Sequence, residues 1–458
     1  MTQINGSSSS ASLYRTIWRW HFFAALIVIP FVLWQSTTGS LYLWSEWWMD
    51  VMHPELRFVE PSNQAVSPST QIAAALATAP RVSGPASDSS HAAHRRAQVT
   101  TATLAAATLS PAAGPPVVGV LLADDVRRST IVLMQDSSGL PYPIFVNPHD
   151  ARVLGRLPAS GWLPGLTRAL HGGWPIKPAG SWLLELGDGW TIVTLLTGLY
   201  MWWPRGRGIA AALWPRVNAG TRILLRDLHA CVAVWFSLVL LFFLISALPW
   251  TDCWGGRLLA SLERVLNQTS PAGFSPGGAS SSDMTTALPS LDQVVAYARV
   301  HGVKGTLDVR LAPWPGAPLY VTNVHGSPSE DRTLLGDARS GTVVGEFRNS
   351  DLPVIPRLVA LGVHVHQGDF GPINVWLNTA FAVSLIWLST TGVVQWWLRR
   401  PRHSLGVPPK ARARAPVPMF ATAAVLCLLF PLLGASVLCI VLVDRMWGRG
   451  LGRLAESS

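Results

Sequence analysis

Apolar residues gather in five long runs, at 18–44, 182–203, 229–250, 374–398 and 418–443. Each is near the roughly 20 residues that a bilayer core requires, so the pattern predicts five membrane helices. Between them the period changes. Short strand-like stretches at 117–122 and 129–134, followed by segments 143–150 and 152–155, lie between the first and second runs. A helical stretch near 291–299 and strand-like segments at 306–311, 318–322 and 337–346 lie between the third and fourth. Each interval predicts a small module of helix plus antiparallel sheet. Segment 61–116, rich in Ala, Ser, Pro and Thr, predicts a flexible linker.

Composition agrees with a membrane protein that has substantial parts outside the bilayer. The 458 residues are 49% hydrophobic and only 13% charged. The net charge of +10 is unevenly placed, and its placement predicts topology. Arg15 and Arg19 precede or open the first run. Arg205, Arg207, Arg216, Arg222 and Arg226 separate the second from the third. Arg399, Arg400, Arg402, Lys410, Arg412 and Arg414 follow the fourth. Short basic loops stay cytoplasmic, so 1–17, 204–228 and 399–417 are expected inside, and 45–181 and 251–373 are expected in the periplasm. The fifth run then leaves the tail 444–458 outside, although it carries Arg445, Arg449 and Arg453. The arginines lie against apolar runs without interleaved stacking residues, which argues against a nucleic-acid surface.

Trp44, Trp47, Trp48, Trp202, Trp203, Trp250, Trp254, Trp396 and Trp397 fall at expected water boundaries, as an aromatic belt does. The first run is too long for a signal-peptide core, contains Pro30 and Trp34, and lacks a small-x-small cleavage site before Glu46; it reads as a retained anchor. Cys231, Cys253, Cys427 and Cys439 have no paired spacing and make neither a disulfide framework nor a thiolate metal site.

The chain also repeats itself. Thr197-Gly198 leads to Trp202-Trp203-Pro204-Arg205, and Thr391-Gly392 leads to Trp396-Trp397 and Arg399-Arg400-Pro401. A histidine precedes each of these runs, His171 and His366, and another opens each partner run, His21 and His229. Run, exported module, run and basic turn recur in the same order, so the repeats are parallel and predict a pseudo-symmetric four-helix bundle with the fifth helix outside the scheme. Ionisable groups at membrane depth are costly and usually functional, so four histidines in matching places suggest a metal or haem scaffold.

The residues resemble the PepSY-associated transmembrane proteins, which include iron-regulated inner-membrane ferric-siderophore reductases. The resemblance runs through Trp18-Arg19-Trp20-His21-Phe22, Pro30-Phe31, Thr38-Gly39, Tyr42-Leu43, Leu170-His171, Glu185-Leu186, Trp190 and the Thr197–Arg205 signature. It continues through Arg226-Asp227-Leu228-His229-Ala230, Trp235, Leu248-Pro249-Trp250, Trp254-Gly255, Gly362, His366, Gly368, Gly371, Asn374, the Gly392–Pro401 signature and Leu405-Gly406. It covers roughly 13–409. Ala233 and Ala247 stand where the family usually has glycine, and His364 is an extra histidine. The resemblance implies that both exported modules are PepSY-like.

It also implies two b-type haems, each held by two neutral imidazoles from different helices. His21 and His229 are the expected pair near the cytoplasmic face, His171 and His366 the pair near the periplasmic face. Arg19, Arg226 and Arg205 are candidate propionate partners at the cytoplasmic rim, with positive-inside anchoring as the other account. Asp227 either orients His229 or answers Arg226. Glu185 is the candidate catalytic residue, for proton transfer or for binding the oxidised substrate; a water-facing helix start is the plainer account. His364 is expected not to be a ligand, and His53, His91, His94, His149, His301, His325 and His403 are expected at the surface.

The expected activity is that of a haem-dependent ferric reductase acting on a ferric siderophore in the periplasm. No nucleotide fingerprint is present, since Gly206-Arg-Gly208 lacks a third glycine and a preceding strand. A quinol or a cytoplasmic-side partner protein is therefore the expected donor. A non-enzymatic assembly or regulatory protein is the alternative, and a transporter is disfavoured because Pro30 and Pro249 share no midplane.

Overall fold

The computed structural model describes residues 4–62, 64–79, 117–173, 176, 179–204, 208–269, 288–311, 319–324, 332–337, 340–408 and 417–456. Most of the expected linker, with His91, His94, His325, Arg205, Arg207, Lys410, Arg412 and Arg414, lies outside them. The chain divides into a helical unit (1–40, 170–262 and 376–458) and a sheet unit (41–169 and 263–375).

In the helical unit, α1 (Ile4–Leu43) runs unbroken through the first apolar stretch with Pro30 inside it. The short α4 (Leu163–His171), most of which belongs to the sheet unit, ends at His171 in the helical one, and α5 (Ala179–Trp202) follows. The third apolar run is two helices, α6 (Thr221–Trp235) and α7 (Ser237–Ala247), bent by 53°. At the break Ser237 Oγ donates to the Val234 carbonyl at 2.8 Å, a side-chain bond of the kind that competes with the helix ladder and bends it. The fourth run is α10 (Pro372–Arg399). The fifth is not one helix. Pro431 has no N–H for the ladder, and the run divides into α11 (Val417–Leu429) and α12 (Pro431–Glu456).

Among the described residues two helices, α1 and α10, are long and apolar enough to cross a membrane, or three if α6 and α7 form one bent span. The second run is a continuous helix of 24 residues, but Glu185, Asp188 and its glycines dilute its apolar character. Close packing explains those glycines. A Cβ at Gly187 would lie 2.5 Å from the Phe31 ring of α1, so that ring packs onto the α5 backbone in space that only a bare glycine leaves.

The sheet unit departs from the expectation of two separate modules. Its eight strands form one antiparallel sheet in the order β4-β3-β2-β1-β5-β6-β7-β8. The first of the two segments between apolar runs supplies β1 (Val117–Leu122), β2 (Thr130–Gln135), β3 (Pro141–Val146) and β4 (Val153–Arg156). The second supplies β5 (Thr306–Leu311), β6 (Leu319–Val324), β7 (Arg332–Gly336) and β8 (Val343–Arg348). Strands β1 and β5 join the halves, with Val120 opposite Val309. Pairing the first strands of both meanders removes two free edges that would otherwise invite aggregation.

Each half also supplies a helix, α3 (Pro68–Thr78) and α8 (Leu288–Val300). Helix α3 lies inside the expected linker. Ser67 caps it by accepting from Thr70 N–H at 3.3 Å, Pro68 occupies its first turn, and its alanines favour helix. Ser69 N–H donates to Asp292 of α8 at 2.8 Å. A core of Met49, Leu56, Ile131, Leu133, Phe145 and Trp162 ties α2 (Ser45–Met52) to the sheet. The remaining helix, α9 (Val354–Gln367), ends on Gly368 at φ +87°, a left-handed C-cap that glycine adopts without strain.

Candidate functional site: histidines held on threonine–glycine steps

Three of the four candidate ligands lie in the helical unit, and all three are held alike. His21 on α1 meets Thr197 of α5, Nδ1 to Oγ1, at 3.0 Å. His171, at the end of α4, meets Thr38 of α1 at 3.0 Å. His229 on α6 meets Thr391 of α10 at 2.8 Å. In every case the next residue is glycine, and the imidazole lies over it. A Cβ would be 3.2 Å from His171 Cε1 at Gly39, 3.3 Å from His21 Cε1 at Gly198 and 3.7 Å from His229 Cε1 at Gly392. The first two are tighter than ordinary contact.

The hydrogen-bond network assigns the tautomer. A threonine hydroxyl has one proton to give. Thr38 gives it to the Trp34 carbonyl at 2.8 Å, Thr197 to Val193 at 2.7 Å and Thr391 to Trp387 at 2.7 Å. Each hydroxyl therefore meets its histidine as an acceptor, and Nδ1 carries the proton. His21 Nδ1 also faces the Thr194 carbonyl at 3.1 Å, which can only accept. A neutral imidazole protonated at Nδ1 has its lone pair on Nε2, the form in which histidine ligates a metal. For His171 burial lowers the pKa to about 4, against an opposing bond to the Gln35 backbone, so its ring is neutral at physiological pH.

His366 lies on α9 in the sheet unit. Its neighbour His364 is bonded on both ring nitrogens, to Asp369 Oδ2 at 2.9 Å and to Asn349 Nδ2 at 3.4 Å. Groups of three or more His, Cys, Asp or Glu placed to hold a metal are absent among the described residues.

The sequence profile of the PepSY-associated TM region matches residues 18–399. The chain belongs to that PepSY-associated transmembrane family. No curated protein matches it. Family membership, with the two helices apolar enough to span, makes this a multi-pass inner-membrane protein. The matched region ends before α11 and α12 begin.

In this PepSY-associated chain the two described candidate arginines, Arg19 and Arg226, each meet a partner within the protein. Arg19 donates to the Pro408 carbonyl and lies 4.9 Å from the centroid of Phe23. Arg226 pairs with Asp227 at 3.0 Å, and Arg216 binds the same carboxylate at 2.6 Å. Asp227 thus answers Arg226 and Arg216, and Thr391 orients His229. Glu185 is not water-facing: it is buried, and its Oε2 accepts from Trp254 N–H at 2.9 Å. His149 is clamped between the Gln64 and Val126 carbonyls, both at 2.8 Å, and His301 stacks on Tyr297. The tryptophans of the repeated signature have a use beyond the belt. Trp202 donates to the Ala212 carbonyl at 3.1 Å and Trp396 to Leu405 at 2.8 Å, each pinning the turn that follows its helix.

The threonines were the residues missed from sequence. Their signal was visible as Thr-Gly at 38–39, 197–198 and 391–392, each deep in an apolar run. The hydroxyl's purpose became evident only with its histidine beside it.

Proposed function

We propose that this protein is a di-haem electron-transfer protein of the inner membrane that reduces ferric iron in a siderophore on the periplasmic side and releases Fe²⁺ for uptake. The observation that supports this reading is the threonine–glycine seat used for three histidines, because it prepares neutral imidazoles with the lone pair on Nε2. Two further facts agree with bulky polar cofactors in the bundle: Gln35 Oε1 and Ser36 Oγ, one turn before the Thr38–Gly39 seat, are buried without hydrogen-bond partners.

In this reading His21 and His229 hold one haem, and His171 and His366 the other. Haem b, when bound, supplies a one-electron ferric/ferrous couple, and one near each face lets electrons cross the hydrocarbon. The chain's own part is to fix the imidazoles. Thr197, Thr38 and Thr391 hold the tautomer and ring plane, while Gly198, Gly39 and Gly392 let each ring lie against a neighbouring helix. The donor is a quinol or a cytoplasmic-side partner, with the amino terminus inside and the sheet unit in the periplasm facing the ferric siderophore. Ferrous iron binds hard-oxygen chelators less tightly than ferric iron, so reduction releases it.

A visible spectrum tests the reading. Purified protein reduced with dithionite should show a low-spin b-type spectrum, and membranes containing it should reduce a ferric hydroxamate, losing that activity in His366→Ala. A folded, colourless preparation made with ample porphyrin supply would overturn it in favour of a non-enzymatic assembly or regulatory protein whose sheet unit binds a partner.

A further inference from the structure

Helices α11 and α12 lie beyond the family match, yet they are built into the helical unit. A Cβ at Gly189 of α5 would lie 3.1 Å from Leu433 of α12. Trp190 donates its indole N–H to Ser436 Oγ at 3.2 Å. Ile192 shares an apolar cluster with Leu244, Leu248, Phe430 and Leu433. Trp254, in the turn after α7, ties the parts together. Its indole N–H donates to the Leu429 carbonyl at the break between α11 and α12, at 3.2 Å, and its backbone N–H donates to Glu185 Oε2. The C-terminal hairpin thus packs on α5 at Gly189, Trp190 and Ile192, immediately after Asp188.

These two carboxyls are three residues apart, on neighbouring positions of one helix face. Glu185 is 1% exposed and Asp188 6%. Glu185 Oε1 has no hydrogen-bond partner, and among the described residues neither acid forms an ion pair with Arg or Lys. Cys253, in the turn that holds Trp254, is an ionisable group beside Glu185, its thiol bonded to that carboxyl. Helix α7 has no ionisable side chain, and α11 with α12 as far as Val443 brings only Cys427 and Cys439.

Two carboxylates this close, shielded from water, repel each other and each loses solvation. One proton between them removes a charge and turns an acceptor without a partner into part of a carboxylic acid.

We propose that Glu185 and Asp188 form a proton-binding site, a carboxyl pair holding one proton and sealed from lipid by the C-terminal hairpin, which exchanges that proton as electrons enter and leave the helical unit. The exchange rests on the electron-transfer reading above; the proton-holding pair does not. An electron arriving from the donor adds one negative charge to a poorly screened interior. A proton from the aqueous phase, taken by the pair, cancels it and departs when the electron passes to the ferric substrate.

The test uses the full-length protein in phospholipid vesicles. Dicyclohexylcarbodiimide, which attacks protonated carboxyls in apolar surroundings, should leave an adduct on Glu185 or Asp188 at neutral pH, located by peptide mass spectrometry. A water-soluble carbodiimide should not, and the adduct should vanish in E185Q/D188N. Where that double variant is not produced, E185Q and D188N are read singly. No adduct on wild-type protein overturns the protonated pair, and equal labelling by the water-soluble reagent overturns the seal. Redox titration at several pH values then reads the exchange: the midpoint potential should fall as pH rises, and the slope should flatten in the variant. An unchanged slope in coloured protein overturns the coupling. A colourless protein removes the electron-transfer reading and the coupling together, while the carbodiimide result still decides the proton site.

Discussion

Two histidines of the helical unit and two of the sheet unit are bonded in different ways. The bonds of His21 and His229 fall on Nδ1 and come from the neighbouring helix. Those of His149 and His364 occupy both nitrogens, from the Gln64 and Val126 carbonyls in one case and Asp369 and Asn349 in the other. A ring held on both sides is a cross-link within the fold. A ring held at Nδ1, with its lone pair at Nε2, is prepared to bind something. Asp50 of the sheet unit and Glu185 of the helical unit differ in the same sense. In the sheet unit Asp50 receives Arg57 at 2.8 Å and Arg128 at 2.7 Å. In the helical unit Glu185 keeps one oxygen without a partner.

The largest effect should come from removing a histidine of each kind. His229→Ala should lose one of the two haems, read as pyridine haemochrome per protein, whereas His364→Ala and His149→Ala should retain both. Equal haem loss from His364→Ala and His229→Ala would break the distinction between the two kinds of ring.

Next in size is the threonine. Thr391→Val keeps the shape but leaves the Nδ1–H of His229 without an acceptor, a cost of about 1–3 kcal/mol. The outer partner of a metal-bound histidine typically accounts for about 10–100-fold in affinity. Haem titration should therefore show weaker binding in Thr391→Val and recovery in Thr391→Ser, which restores the hydroxyl.

Much of this was legible in the sequence, and the illegible parts have physical reasons. The apolar runs were evident because bilayer thickness sets their length, and the repeated Thr-Gly…Trp-Trp signature showed the duplication. The joining of the two segments between apolar runs through β1 and β5 was not evident, since strand patterning reports which face is buried and not which edge finds a partner. Helix α3 was hidden inside a stretch whose Ala, Ser and Pro content resembles a linker, although Ser67-Pro68 and the alanines after it are a helix start. The roles of Asp188 and Thr391 depend on residues far away in the chain, the hairpin packed beside Asp188 in the one case and His229, at 162 positions' remove, in the other. Local reading has no access to such pairs.

In the sheet unit, Asp50 gives an effect of moderate size with a defined pH dependence. Burial opposes its ionisation, but the hydrogen bonds and charges of Arg128 and Arg57 outweigh that and hold its pKa below the ordinary carboxylate value. A carboxylate depressed in the folded state contributes stability that is fully present above its unfolded pKa and lost as pH falls through the folded one. Asp50→Asn should lower stability near neutral pH by about 2 kcal/mol, the size of a charged hydrogen bond. The gap from wild type should close in acid. Thermal unfolding of the full protein at neutral and acidic pH measures this, and a gap that persists in acid would show that the carboxylate charge is not what stabilises the sheet unit.

The smallest effect separates the seats themselves. Replacing a helical glycine by alanine ordinarily gains up to about 1 kcal/mol from backbone entropy, so the outcome turns on whether the Cβ fits. At Gly392 it would lie 3.7 Å from His229 Cε1, ordinary contact, and Gly392→Ala should keep its haem and unfold no more easily than wild type. At Gly198 it would lie 3.3 Å from His21 Cε1, and His21 cannot yield without giving up its bonds to Thr197 and Thr194. Overpacking of this kind costs about 1–3 kcal/mol, enough to cancel the entropic gain and displace the ring. Gly198→Ala should therefore weaken haem binding where Gly392→Ala does not, with matched titrations of the two variants as the measurement. The same result in both would mean that the glycines serve helix packing alone and that the threonine hydroxyl, without the ring's close approach, is what seats each histidine.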